Sequence, residues 1–301
     1  MMQCVVCHDA GGAEVLASYI SRQNGEWCFV LEGPARKVFE RRLGAVSGIS
    51  LDEALARGER FLTGSSWQSD LEWRAIAAAR RAGRPVATFL DHWVNYRERF
   101  IRGRVECLPD EIWVGDAYAF ERAQAAFPEV PLHLVDNPYF EDVREEAARY
   151  LHAAPPVGND DGLRLLFVCE PISEHAEKAF GDPRHWGYTE FDALNFLLAN
   201  RSRLGDSTAS LVIRPHPAEA PEKYAHVVAA WGGVARLGGS APLIQEIMAA
   251  DVVVGCASMA MVVGLLAGKR VCCAIPPGGA SCPLPHREIE HLADIVGKAG
   301  K

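Results

Sequence analysis

From its first residues the chain alternates short apolar runs with amphipathic stretches, and this rhythm restricts its fold more than any other feature. MQCVVCH reads as a strand, DAGG as a turn and AEVLASYISRQ as a helix. The pairing repeats with WCFVLEG and PARKVFERRLG, whose proline suits a first helical turn. It repeats again with RFLTGSS and SDLEWRAIAAARRAG, a helix that Ser69-Asp70 open and Gly83 closes. RPVATFLD, EIWVGD, AYAFERAQAAF and PLHLVDN continue it. Strands joined through helices run parallel, and a parallel sheet needs cover on both faces. The expected class is therefore α/β with doubly wound parallel sheets.

The rhythm breaks once. EDVREEAARYLHAA reads as a helix, and PPVGNDDG, rich in Pro, Gly and Asp, reads as a linker. LRLLFVCEP, FDALNFLLANRSR, SLVIRPHP, GGVARLG, APLIQEIMAA, DVVVGCA, SMAMVVGLLAG and KRVCCAIPP then restore it, and HREIEHLADIVGKAG is expected as a C-terminal helix. The expected organisation is a Rossmann-like domain over 1–145, a linker over 146–162 and a second Rossmann-like domain over 163–301. Ligands of such sheets bind beyond the carboxyl ends of the strands. A two-domain version is expected to turn those ends toward a central cleft.

With 301 residues, 49% hydrophobic and 23% charged, the chain has the composition of a soluble enzyme. A net charge of −8 argues against a nucleic-acid-binding surface, so any phosphorylated ligand must be held in a local pocket. No apolar run reaches the ~18 residues needed to span a bilayer, and MMQCVVCHDAGG lacks the basic and apolar regions of a signal peptide. The expected location is cytoplasmic, with peripheral membrane association left open. Nine cysteines is an odd number, and Cys4, Cys7, Cys28, Cys169, Cys256, Cys272 and Cys273 sit inside apolar runs, as reduced, buried thiols do. Cys4 and Cys7 fall on one strand, where positions three apart face opposite ways, so the C-x-x-C is read as structural.

The polar punctuation falls at strand ends. In CHDAGGAE, His8, Gly11 and Gly12 form a small-residue turn that either approaches a ligand or only tightens a strand–helix joint. It is neither G-x-G-x-x-G nor a P-loop. In TGSSWQSDLE, Ser65 and Ser66 offer hydroxyls to a ligand, against the plainer reading of helix capping. FLDHWVNYRERF delivers Asp91 and His92 at a strand end with Asn95 nearby, and either of the first two suits a general base. CEPISEHAEKAFGDPRHWGYTEFD reads as a strand ending at Glu170 and then a loop of ~15 residues, longer than most such connections. LVIRPHP ends a strand in Arg214, His216 and Pro217, with prolines fixing the backbone around the imidazole. In DVVVGCASMAMVVGLLAG, Ala257, Ser258 and Met259 open an apolar helix. Capping by Ser258 and phosphate binding there use the same geometry.

RPHP at the end of its strand, followed by the 251–271 segment, resembles the nucleotide-binding half of GT-B glycosyltransferases. It looks like bacterial surface-polysaccharide transferases, including sialyltransferase-like enzymes and teichoic-acid glycerophosphotransferases. Nonhydrolysing UDP-sugar 2-epimerases and nucleotide-sugar hydrolases share that fold. The resemblance implies that His216, Pro217 and Ser258 contact the phosphate and ribose of a donor nucleotide. It also implies an N-terminal acceptor domain and a C-terminal donor domain. MVVGLLAG lacks the glutamate that many UDP-sugar enzymes carry there, which favours a CMP- or CDP-linked donor over that type of UDP donor. Leu31-Glu32-Gly33 has one acid where the sialyltransferase motif has two.

The expected function is metal-independent transfer from a nucleotide-activated sugar, CMP- or UDP-linked, to a glycan or lipid-linked acceptor in bacterial surface glycan synthesis. His216 would stabilise the leaving phosphate, Arg214 would either face the cleft beside it or ion-pair elsewhere, and Asp91 or His92 would take the proton of the acceptor hydroxyl or of a water. No cofactor and no metal are expected, in keeping with the absence of a D-x-D pair. The alternatives are a nucleotide-sugar hydrolase or 2-epimerase, and a non-catalytic nucleotide-sugar-binding subunit.

Overall fold

The computed structural model describes residues 2–66, 69–153, 162–205 and 207–298. Most of the expected linker PPVGNDDG, together with Trp67 and Gln68, lies outside the described residues. The chain divides into two compact units, Met1–Asp142 and Val143–Lys301.

The N-terminal unit runs β1 (Met2–Cys7), α1 (Ala10–Ser21), β2 (Glu26–Leu31), α2 (Gly33–Leu43), α3 (Leu51–Arg57), β3 (Arg60–Thr63), α4 (Leu71–Arg81) and β4 (Val86–Leu90). A hairpin of β5 (Ile101–Arg102) and β6 (Val105–Glu106) follows, then β7 (Glu111–Val114), α5 (Ala117–Ala126), β8 (Leu132–Leu134) and α6 (Pro138–Ala153), a helix that begins in this unit and from Val143 onward belongs to the C-terminal one. Its six-stranded sheet has the order β2-β1-β3-β4-β7-β8, with every pair parallel.

The C-terminal unit runs β9 (Leu163–Val168), α7 (Ile172–Phe180), α8 (Glu190–Asn200), β10 (Thr208–Arg214), α9 (Ala225–Ala230), β11 (Ala235–Leu237) and α10 (Leu243–Ala249). It closes with β12 (Val252–Gly255), α11 (Met259–Leu266), β13 (Arg270–Cys273), β14 (Glu290–His291) and α12 (Leu292–Lys298). Its sheet is again six-stranded and parallel, in the order β11-β10-β9-β12-β13-β14.

The expected α/β class with two parallel sheets is the observed one. Central strands are covered on both faces, so β4 (VATFL) and β12 (VVVG) are buried at every position and read as continuous apolar runs. The helices show one apolar stripe each. On α4 it is Leu71, Ala75, Ile76 and Ala79. Local signals set several helix starts. Ser50 and Glu53 form a capping box on α3, Thr189 and Asp192 another on α8, and Asp116 accepts from Ala119 N at the start of α5. Ser69 Oγ accepts from Leu71 N at 3.1 Å before α4, while Asp70 makes no side-chain cap. Gly83 follows α4 in left-handed backbone at φ +65°. Among the described residues no helix is long and apolar enough to cross a membrane.

Three expectations are corrected. Residues 172–180, read as part of a long loop, form α7. Its pattern was hidden by a Pro at its start and by charged residues along its exposed face. The C-terminal segment is not a single helix, because Glu290–His291 first add β14 to the sheet edge. Cys4 and Cys28 are bridged rather than reduced. They sit opposite one another in the β1–β2 register, with Cα atoms 4.8 Å apart, and paired residues of neighbouring strands face the same side. The other seven cysteines are free, and Cys7 lies on the face of β1 opposite to Cys4.

The bridge closes a loop across a separation of 24 residues. Reducing it should cost about 3 kcal/mol of unfolding free energy, read as a lower urea midpoint with reductant than without. Equal midpoints would mean that the bridge carries no stability.

Candidate functional site

The strand orders decide where a ligand can sit. In the N-terminal unit the chain lays down β1, steps outward to β2, then returns to lay β3 on the other side of β1. In the C-terminal unit β9 is followed by β10 and β11 on one side and by β12, β13 and β14 on the other. Each reversal sends flanking helices to opposite faces and leaves a crevice at the carboxyl ends, between β1 and β3 and between β9 and β12. Several of the sequence-derived residues fall at these two crevices.

In the N-terminal unit, His8 follows β1, Ser65 and Ser66 follow β3, and Asp91 follows β4. His8 Nδ1 and Asp9 Oδ1 share a hydrogen bond of 2.7 Å, with both side chains partly exposed. A carboxylate only accepts, so in the neutral ring the proton lies on Nδ1 and Nε2 keeps its lone pair. Gly33, in left-handed backbone at φ +51°, lets β2's end pass this ring, for a Cβ there would lie 2.6 Å from His8 Nε2. Asp91 Oδ1 accepts from Ser65 Oγ at 3.2 Å and lies 3.6 Å from Arg99 Nη1. Arg99, itself buried, also donates to Ser65 O at 2.6 Å. A Cβ at Gly11 would fall on Asp91 Oδ2, so any larger residue there would displace that carboxylate. Gly12 plays a packing part, lying against Cys7 and Gly64.

Glu72, on α4, closes this crevice. It is 2% exposed, and its Oε1 accepts from His8 N at 2.7 Å. Its Oε2 has no hydrogen-bond partner among the described residues. Burial pushes its carboxyl up from 4.5 to about 7, and the backbone N–H bonds only partly offset this. Glu72, Asp9 and Arg99 were not found from sequence. The signal available for Glu72 was its position on the apolar stripe of α4, one residue after Leu71.

Other residues of the group fall elsewhere. His92 Nδ1 accepts from Trp93 N at 3.0 Å, so its neutral ring carries the proton on Nε2. Trp93 is tied to Asp116 through its indole N–H at 2.9 Å. Ser66 Oγ accepts from Ser69 N at 3.1 Å, closing the turn ahead of α4 rather than capping the helix. Asn95 is exposed, in left-handed backbone at φ +54°.

In the C-terminal unit, Glu170 follows β9, Arg214 ends β10, and Cys256, Ala257 and Ser258 follow β12. These strands are neighbours in the order β10-β9-β12. Ser258 Oγ caps α11 by accepting from Ala260 N at 3.2 Å, and Met259 begins the helix. Glu170 Oε1 accepts from Ala257 N at 2.8 Å, so a carboxylate sits on the free N–H groups at the mouth of α11. Burial pushes Glu170 up to about 7, against lowering by the N–H groups of Ala257 and Ser258, and Glu219 nearby raises it further.

His216 is partly buried, and desolvation holds it below its usual value. Its Nδ1 accepts from Ala218 N at 3.1 Å, so the neutral ring presents an N–H at Nε2. Glu219 fixes this turn by accepting from His216 N at 2.8 Å, while its other oxygen takes the Tyr224 hydroxyl. Pro217 is exposed. Arg214 pairs with buried Glu246 at 2.7 Å and donates to Ala241 O. Among the described residues one group of carboxylates is close enough to share a cation, Glu174, Glu190 and Glu219. Lys223 Nζ lies among them at 2.6 to 2.8 Å and supplies that charge.

No family model and no curated protein matches the chain. Solved structures do match its fold. A UDP-GlcNAc 2-epimerase from Methanocaldococcus jannaschii aligns with a TM-score of 0.56 at 9% identity, over 91% of this chain and 83% of that one. S. aureus MnaA in complex with UDP gives 0.58 at 9%, over 90% and 79%. The glycotransferase of kitacinnamycin gives 0.50 at 13%, over 99% and 84%. The fold is thus of the GT-B-like type.

Because Glu72 binds its proton more tightly when folded, it lowers stability as pH rises from about 4.5 to about 7. At about 1.4 kcal/mol per unit, its share of that fall is about 3 kcal/mol. Glu72→Gln should remove this share, leaving the part due to Glu170. Urea midpoints at pH 5 and pH 8 should therefore converge in the variant relative to the wild type. An unchanged difference would show that Glu72 ionises normally.

Proposed function

We propose that the chain is an enzyme acting on a nucleotide-activated sugar, and that it transfers the sugar to an acceptor hydroxyl without a metal. The observation that carries this reading is the crevice between β9 and β12. There the Glu170 carboxylate rests on Ala257 N, at the start of α11, in a setting suited to a phosphate. A donor phosphate replaces that carboxylate and gains the same N–H groups. His216, through Nε2–H, donates to the phosphate as the sugar–phosphate bond breaks and charge develops on its oxygen.

In the N-terminal unit, His8 is the base. Asp9 holds its Nδ1–H, and Nε2 takes the proton of the acceptor hydroxyl. Asp91, held by Ser65 and Arg99, is a second carboxylate able to accept that proton or to orient the hydroxyl. His92 serves as a donor, since its Nδ1 lone pair is already used. The resemblance of residues 211–217 and 251–271 supports a CMP- or UDP-linked donor and a glycan or lipid-linked acceptor, with surface glycan as product.

A second reading is favoured by Glu72, a carboxyl that holds its proton up to about 7 beside the His8–Asp9 pair. An acid and a base in one cluster suit hydrolysis of the donor or epimerisation at the sugar C2. Product analysis with a nucleotide-sugar separates the three outcomes: glycosylated acceptor, free sugar with nucleotide, or an epimeric nucleotide-sugar.

Thermal-shift binding with CMP, CDP, UDP, UMP and GDP tests the donor site. A ligand at a hundred times its Kd stabilises by about 2.7 kcal/mol. His216→Ala should weaken binding about tenfold, the loss of one hydrogen bond to a charged group. Glu170→Ala should strengthen it, because the competing carboxylate is gone. If no nucleotide shifts the wild type, the reading is abandoned. His8→Ala should leave binding intact and lower turnover by about 10²–10⁴.

A further inference from the structure

Three free cysteines converge behind the turn that opens α11. Cys273 ends β13 and is buried, while Cys282 lies in the irregular segment 274–289 and is partly exposed. Their thiols donate to one and the same acceptor, the carbonyl of Cys256, at 3.4 Å and 3.2 Å. Each thiol also shifts the other, Cys273 upward and Cys282 downward, as close neighbours do. The third thiol, that of Cys256, is engaged by Tyr188. Cys272, next along β13, faces the other side of the strand toward Arg270 and Glu290.

We propose that Cys273 and Cys282 are a dithiol site that low-molecular-weight disulfides oxidise reversibly to a Cys273–Cys282 disulfide. The geometry carries the assignment. Two sulfurs that share one carbonyl oxygen are already neighbours, and one of them sits on a segment without helix or strand. That segment can make the small approach to bonding distance. The neighbouring Cys273 also holds Cys282 below its ordinary value, so Cys282 is the more readily ionised of the two and attacks first.

The steps balance. The Cys282 thiolate attacks the disulfide RSSR, an S–S bond forms to Cys282, and RS⁻ leaves. Cys273 loses its proton and attacks Cys282 Sγ, forming the internal disulfide and expelling the second RS⁻. Two protein thiols are oxidised and one RSSR is reduced to two RSH. The product ties segment 274–289 to β13. It also removes both S–H donors from Cys256 O, the residue that begins the turn Cys256–Ala257–Ser258. The segment is already anchored by Ala280 N to Trp186 O at 2.8 Å, so the bridge fixes it at a second point. The site does not depend on what the enzyme acts on.

The test incubates the full chain in graded ratios of oxidised to reduced glutathione, blocks free thiols with N-ethylmaleimide, and maps the non-reduced peptides by mass. A linked pair joining Cys273 to Cys282 should accumulate with oxidation, vanish on reduction, and persist in Cys272→Ser. Hydrogen exchange over residues 276–288 should slow in the oxidised protein. Recovery of Cys282 as a stable glutathione mixed disulfide, or as a free thiol at every ratio, overturns the proposal. So does a link made through Cys272. The readout on unsubstituted protein needs no variant to fold.

Discussion

A parallel sheet that begins in its middle and winds outward both ways must leave a gap where its direction reverses. Both units of this protein are built that way, on β1 and on β9. At each gap a strand end stops with unsatisfied backbone N–H groups, and in each a glutamate carboxyl reaches in to accept one. Glu72 takes His8 N, and Glu170 takes Ala257 N. Among the described residues neither carboxyl has a cation of its own. Burial therefore outweighs the hydrogen bonds, and both protonate near neutrality. The chemistry proposed for the enzyme follows from this arrangement, because the groups that could bind or transfer protons are held at the gaps.

The unusual end of β10 has the same logic. A strand that stops in Arg-Pro-His-Pro must hold its imaginable ligand contacts without help from a regular element. Prolines fix two backbone angles. Glu219 then accepts from His216 N, and the imidazole's own Nδ1 takes Ala218 N. Glu219 is held in turn by Tyr224 and Lys223. A chain of neighbours thus sets the ring's tautomer and orientation, and only Nε2 is left to meet a ligand.

The doubly wound fold was legible because buried parallel strands and amphipathic helices leave different periods in the sequence. VATFL and DVVVG read as strands for that reason. α7 did not, since Pro171 and a loop-like composition hid a helix, and β14 is too short to carry a period. Of the candidate site, the positions just beyond strand ends were legible: His8, Asp91, Glu170, His216 and Ser258. Their partners come from elsewhere in the chain and were not. Glu72 lies 64 residues from His8, and Arg214 meets Glu246 across 32. The bridge of Cys4 to Cys28 depends on strand register, which composition does not reveal.

Charge explains why backbone groups rather than basic side chains should bind an anion here. The protein carries a net charge of −8, so its far field repels phosphate. Within the C-terminal unit the cations near the crevice are already committed, Arg214 to Glu246 and Lys223 to three glutamates. Among the described residues, the contacts proposed for an anion are therefore the mouth of α11 and a neutral imidazole N–H. These are dipoles, and their attraction falls off within a few ångströms, whereas unpaired lysines or arginines would draw any polyanion. A pocket of this kind binds a phosphate only when the rest of the ligand brings it into contact. In the proposed reading, recognition rests on fit to the turn rather than on charge, and protonation of Glu170 near neutrality lowers the cost of its displacement.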